Sequence, residues 1–261
     1  MGAVDLADLV LHAQADAWAE QARLRPGGAS AELPGARLAG SGLPHPQHNG
    51  ADLTDAHAVD EAAVARWFAG RGLPWAWRVP ARSGWEGGRL VLEQRLMGLP
   101  AQDLRPAPLP AGVAVRTAGP ADADAVVAVD VAAFGGPPAP ARAWLQGLLE
   151  ASGSRAGRAE VALVSEHGQP VATAYAVRSA GRAGPAVLLA GVAVVPAARR
   201  RGIAAGTSSW LLARAFAAGA ALAHLQPDDE RAARVYRRLG FTEVPGLQIR
   251  SPDPEREPAR R

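Results

Sequence analysis

The chain is 261 residues long, with 48% hydrophobic and 20% charged residues, which leaves room for one large or two modest packed domains and excludes general disorder. Cysteine is absent, so disulfides, thiolate metal sites and cysteine nucleophiles are excluded. The 28 basic residues are all arginine and face 25 acids, a net charge of only +3; the pI near 10.4 reflects arginine's high pKa and not a strong positive field, which argues against a nucleic-acid partner.

Residues 3–22 place Leu6, Leu9, Val10, Ala13 and Ala17 at helical spacing with acids between them, which predicts an amphipathic helix. Asp5 and Asp8 and the lack of a basic leader or cleavable apolar core argue against a signal peptide. Residues 26–42 are rich in Gly, Pro and Ala and read as a loop. A short strand within 43–53 precedes a helix over 57–71 that carries Val59, Ala63, Trp67 and Phe68 and stops at Gly72. Trp75, Trp77 and Val79 alternate with Ala76 and Arg78 as in a strand, and the tryptophans, with Trp85, are expected at a domain interface. Residues 86–97 read as a helix ending at Gly98. Residues 100–112, with four prolines and little periodicity, read as a linker with a boundary near 108.

Beyond it the pattern predicts a strand over 113–116, helices over 120–133 and 139–151, and strands over 160–165, 171–177 and 186–195. A helix over 203–218, a strand over 222–226, a helix over 229–239 and a strand after Phe241 follow. The organisation expected is therefore a smaller α/β domain with its linker over 1–107, a second α/β domain over 108–250, and a frayed, proline- and charge-rich tail over 251–261. No stretch reaches the ~18 uncharged apolar residues of a membrane span, so a cytoplasmic protein without membrane contact is expected. A weak internal repeat matches residues 89–99, RLVLEQRLMGL, to 231–241, RAARVYRRLGF.

Residues 192–205, VAVVPAARRRGIAA, join a buried-strand run, a proline that ends the ladder, three arginines, and the small residues that open a helix. The first amides of a helix have no intrahelical partner, so such an end binds phosphate through direct hydrogen bonds and the macrodipole. A solvated charge run before an ordinary helix is the plain alternative. No Gly-Lys-Ser/Thr follows, which excludes a P-loop, and the three glycines of a dinucleotide fingerprint are missing. The stretch resembles the signature of the GNAT superfamily of acetyl coenzyme A-dependent N-acetyltransferases, Gln/Arg-x-x-Gly-x-Gly/Ala, with Arg199, Gly202 and Ala204 in place. Downstream, DDERAARVYRRLGF resembles that family's Asn-x-x-Ala-x-x-Leu-Tyr-x-x-x-Gly-Phe through Asp229, Ala232, Val235, Tyr236, Gly240 and Phe241. The two motifs lie about 30 residues apart, and the resemblance covers about residues 113–250.

The resemblance implies an α/β (α+β) GNAT fold, a mixed, centrally splayed sheet flanked by helices, with acetyl-CoA as co-substrate and no metal. It places Val192 and Val194 on the splayed strand, their backbone groups paired with the acetyl carbonyl and pantetheine amides. The Val192 amide would stabilise the oxyanion, a donor whose loss costs ~2.7–4 kcal/mol elsewhere. Arg199, Arg200, Arg201, Gly202, Ile203, Ala204 and Ala205 would surround the pyrophosphate, and Tyr236 would protonate the departing thiolate. Asp229 departs from the family's asparagine near the pantetheine, and Leu188 stands where some members carry a glutamate base. An amine with pKa near ~10.4 is neutral only about once in ~2,500 molecules at neutral pH, so deprotonation must be arranged. His224 is a candidate for that task, with a hydrogen-bonded structural histidine as the alternative; Asp228 and Glu230 are placed to attract a cationic amine.

If residues 43–99 are a degenerate GNAT-like copy, its phosphate-loop position is 51–61, ADLTDAHAVDE, with four carboxylates and no arginine. Gln94 then falls at the position of Tyr236, and that half is expected to bind no cofactor and to shape the acceptor site. His45, His48 and His57 near Asp52 and Asp55 lack the spacing of a metal-ligand set. The expected activity is direct acetyl transfer to an amine, on a small molecule or a protein amino terminus, in a ternary complex formed by a monomer or homodimer. The rival expectation is a non-catalytic CoA-binding sensor.

Overall fold

The computed structural model describes residues 5–154 and 157–252. In chain order the elements are α1 (Leu6–Arg23), β1 (Ala29–Leu33), β2 (Ala36–Gly40), β3 (Asn49–Leu53), α2 (Glu61–Ala69), β4 (Ala76–Pro80) and β5 (Arg89–Pro100). They continue with β6 (Val113–Ala118), α3 (Ala123–Phe134), α4 (Pro138–Ala151), β7 (Ala159–Glu166), β8 (Gln169–Gly181) and β9 (Gly184–Val194). The last four are α5 (Ile203–Ala217), β10 (Leu222–Leu225), α6 (Glu230–Arg238) and β11 (Thr242–Ser251). Among the described residues no helix is long and apolar enough to cross a membrane. Most of the tail expected to fray, from residue 253 onward, lies outside them.

All the strands join one mixed sheet in the order β1-β2-β3-β4-β11-β5-β10-β9-β8-β7-β6. The parallel pairs are β3 with β4 and β9 with β10, each joined by a helical crossover, α2 and α5. Each half thus runs through antiparallel strands, a crossover helix and a parallel strand, and ends on a strand that lies beside the other half's. β5 is paired antiparallel with both β10 and β11, and β11 also pairs with β4. The sheet is therefore continuous across residue 108.

Four expectations are corrected here. Residues 86–97 are no helix: β5 begins at Arg89 and runs to Pro100. Leu, Glu, Gln, Arg and Met favour helix locally, but Leu96, Met97 and Leu99 are completely buried between two partner strands, and that pairing overrides propensity. The match of 89–99 to 231–241 consequently sets a strand against a helix, so it is no structural repeat, and Gln94 is not the counterpart of Tyr236. Residues 26–42 are not loop throughout but hold the β1–β2 hairpin, closed at Gly35 with φ +70°. Its core-facing residues are mainly alanine, which carries little strand signal. Finally, Trp75, Trp77 and Trp85 pack with Phe68 of α2 in the amino-terminal core, Phe68 stacking on Trp75 at 4.6 Å, and not at an interface between domains.

The helix α1 begins at Asp5, whose carboxylate accepts from the Ala7 amide at 3.3 Å. It packs across the seam of the halves: Val10 and Ala13 contact Leu96 of β5, Leu222 of β10 and Leu247 of β11. Burying this face holds the two halves to one frame.

Candidate active site

β9 and β10 pair only through Leu222 with Ala186, Ala223 with Val187 and His224 with Leu188. β10 ends at Leu225, while β9 runs on to Val194 beside β8 alone, so the sheet parts there. The cause is local. Opposite Tyr175 and Thr173 of β8 stand Ala190 and Ala193, which gives β9 one extra residue around Gly191 and Val192, a bulge that bends the strand. Gly191 has φ +58° and a Cβ on it would meet Tyr175 Cε1 at 2.5 Å, so glycine is required for both conformation and space.

Below the gap lies a cleft of about 940 Å³. One wall is Val192–Val194 with Pro196, Ala198–Arg200 and Gly202–Ala205, the other a face of α6 from Arg231 to Arg238. The chain turns through Pro196–Ala198 and passes Arg200 at φ +64°. It enters α5 at Gly202, φ +83°, with no side-chain cap. A Cβ on Gly202 would meet nothing within 4 Å; the glycine is there for its left-handed backbone and not for room. The first-turn amides of α5 therefore face the cleft with the positive end of the helix dipole.

The three arginines divide their work. Arg199 ties strand to helix, donating from Nε to the Val194 carbonyl at 3.0 Å and from a terminal nitrogen to the Ala133 carbonyl at 2.8 Å. Arg201 makes a bidentate pair with Glu166 and its side chain is not on the cleft wall, so of the expected phosphate set its guanidinium is withdrawn. Arg200 lines the cleft and has no partner among the described residues. Ile203, Ala204 and Ala205 line it too. Asp229 caps α6, accepting from the Ala232 amide at 2.7 Å, a task asparagine and aspartate do equally well. The sequence reading missed Arg231, Arg234 and Arg238, which face the cleft from α6. Their i, i+3, i+7 spacing on the helix after the second motif was a legible signal.

A second cavity of about 640 Å³ opens on the other side of the parting. Phe134, Val192, Asp228 and Ala232 line both spaces, so the two meet where the strands separate. Tyr236 lines the second cavity and packs edge-on to Phe241 at 5.9 Å. Burial, and then the Asp228 carboxylate, push its phenol well above the ordinary tyrosine range, which keeps it a protonated donor at any working pH. Leu188 lines the same cavity. The wall opposite comes from Gln14, Trp18 and Gln21 of α1 and from Leu92 to Arg95 of β5; of these the sequence singled out only Gln94, and for a different reason.

His224 is corrected. It is completely buried within the sheet, its Nδ1 3.1 Å from Gln14 Oε1, and it lines neither space. Burial lowers its pKa to about 3 against a small opposing effect of Asp16, so it stays neutral and exchanges no proton with the cleft. Between that value and the ~6.5 of a free imidazole, the unfolded chain takes up a proton that the folded chain refuses. Stability therefore falls as pH falls through this window, by about 1.4 kcal/mol per pH unit for this group. Denaturant unfolding at about pH 7 and about pH 4 is expected to show a steeper loss for the unsubstituted protein than for His224→Gln; parallel losses would remove this account. Among the described residues no three His, Asp or Glu side chains are grouped to hold a metal.

The sequence profile described as an acetyltransferase (GNAT) domain matches residues 114–244, half of the chain. The chain belongs to the GNAT family. Acetyl transfer is the general activity of this family. The likeness to solved structures extends over both halves. A GCN5-related N-acetyltransferase from Kribbella flavida superposes with TM-score 0.69 over 96% of this chain and 97% of that one, at 22% identity. An acetyltransferase of the GNAT family from Novosphingobium aromaticivorans gives 0.61 over 93% and 96%, at 20% identity. A GCN5-related N-acetyltransferase from Sphaerobacter thermophilus gives 0.54 over 82% and 74%, at 20% identity. No curated protein sequence matches the chain. In this GNAT protein α1 and β5, which supply one wall of the second cavity, lie outside the matched domain.

Proposed function

We propose that the chain transfers an acetyl group from acetyl-CoA directly to an amine in a ternary complex. The observation that carries this reading is the meeting of two cavities at Val192 and Asp228, one of them ending on the uncapped helix start at Gly202. Acetyl-CoA supplies an activated acetyl thioester. The donor set fits it: first-turn amides of α5 with Arg200, Arg231, Arg234 and Arg238 for a diphosphate, and the unpaired side of β9 at Val192 and Val194 for the amide arm.

Val192 would donate its amide to the carbonyl oxygen as negative charge develops there. One proton of the substrate ammonium is released to solvent before attack. The nitrogen then bonds to the acetyl carbon as the carbon–sulfur bond breaks. Tyr236 protonates the sulfur, and the second proton lost by nitrogen balances it. A thiolate near ~8.5 in water is a weak base for a raised phenol, but a thiolate formed in the same dry pocket is raised for the same reason. The amino-terminal half, with its carboxylate-rich 51–61 segment, is read as cofactor-free and as a wall of the acceptor site.

Leu188 in place of a glutamate base favours the sensor reading; acetyl transfer to a panel of amines separates the two. Calorimetry is expected to give one acetyl-CoA per chain. Two sites would overturn the cofactor-free amino-terminal half, and none would overturn the whole reading.

A further inference from the structure

The second cavity is lined by polar groups that nothing in the fold satisfies. Gln14 and Gln21 are 1% and 2% exposed, yet Gln14 Nε2 and both polar atoms of the Gln21 amide have no hydrogen-bond partner among the described residues. The same holds for Trp18 Nε1 and Gln226 Nε2, and all four residues line the cavity. Buried amides are almost always paired, so several orphans on one wall mark a place where a ligand completes the hydrogen bonds.

The charges on the same lining are one-sided. Glu93, Asp130 and Asp228 have no hydrogen bond or ion pair among the described residues, and burial raises the carboxyls of Asp130 and Asp228 above their usual range. Arg95, the one cation of the lining among the described residues, is held by Glu230 at 3.0 Å and Glu243 at 2.6 Å. Arg25, behind Trp144, donates to the carbonyls of Gln21 and Trp144. The cavity therefore presents free negative charge and neutral amides with no free cation.

We infer that the acetyl acceptor is a compact, polyhydroxylated cationic amine of the amino-sugar or aminocyclitol class, its ammonium groups facing Asp130 and Asp228 and its hydroxyls paired with Gln14, Gln21 and Gln226. The inference rests on the acetyl-transfer reading. A free amino acid brings a carboxylate toward three unpaired carboxylates, which repel it. A linear polyamine meets the charge but leaves the amides unpaired, the circumstance under which a polar site discriminates most strongly. A protein amino terminus brings amides of its own, but needs an open groove, whereas about 640 Å³ is the size of a small-molecule site.

The test is direct binding to the protein–CoA complex, so that it does not depend on turnover. Glucosamine and 2-deoxystreptamine are expected to bind at least about 100-fold more tightly than spermidine or serine. Gln21→Leu is expected to weaken both about tenfold while leaving CoA affinity and the melting temperature unchanged or improved, since it removes an unsatisfied buried amide; a purely structural glutamine would leave amine affinity untouched. Asp130→Asn is expected to weaken the same two amines without altering CoA binding. Failure of both amines to bind, equal or tighter binding of spermidine, serine or a short peptide amide, or indifference to Gln21→Leu overturns the inference while the acetyl-transfer reading stands. Failure of CoA itself to bind overturns that reading and this one together.

Discussion

Gly202→Glu is expected to abolish acetyl-CoA binding, with affinity falling by more than about 10³-fold in calorimetry. Two effects add. A side chain forced to φ +83° carries a left-handed strain of roughly 1–2 kcal/mol. Its carboxylate then stands at the mouth of an anion cradle, where one like charge about 4 Å from a phosphate oxygen is worth ~4 kcal/mol at an effective dielectric constant of ~20. Gly202→Ala isolates the first effect and is expected to lose only about tenfold. Neither variant should disturb packing, because among the described residues no atom lies within 4 Å of the new Cβ, so the melting temperature is expected to fall only by the few degrees that the backbone strain costs. Unchanged affinity in the glutamate variant would place the diphosphate elsewhere and remove the cleft assignment.

Tyr236→Phe is expected to lower kcat by about 10²–10⁴-fold with KM for acetyl-CoA nearly unchanged, the range that general-acid catalysis supplies. The phenylalanine keeps the edge-on contact with Phe241 at 5.9 Å, and no hydrogen bond to the Tyr236 hydroxyl exists among the described residues to be broken. A structural tyrosine would therefore show little change in either constant. The decisive control is an acetyl thioester with a more acidic thiol: its leaving group needs less help, so the variant should recover part of the lost rate. Equal turnover in tyrosine and phenylalanine forms would remove the acid role.

The two expectations draw on different kinds of legibility. Gly202 was visible in the chain because the run from the proline to the small residues encodes its own turn, and the structure places it at a left-handed helix entrance. Tyr236 was visible only by resemblance; what carries its chemistry, the dry surroundings and the Asp228 carboxylate, comes from the fold. Arg201 shows the limit of reading charge by position. It stands in the motif, yet Glu166, at the end of β7, takes its guanidinium. His224 had a suitable intrinsic pKa and a suitable neighbouring strand, but the strand's inner face points it under α1 to Gln14.

What the amino-acid sequence determined by itself are the features whose causes lie within a few residues: the order of helices and strands beyond residue 112 and the proline stop at Pro196. Backbone conformation and apolar period act over that range, so they can be read locally. The tertiary structure alone decided that β5 is a strand, that the halves share one sheet, and that α1 and β5 close the second cavity. Those outcomes depend on partners far apart in the chain, such as Gln94 with Gln226, 132 residues on, and Gln14 with His224, 210 residues on. Pairing on both edges of β5 buries its apolar end, and that burial outweighs the helical preference of the same residues.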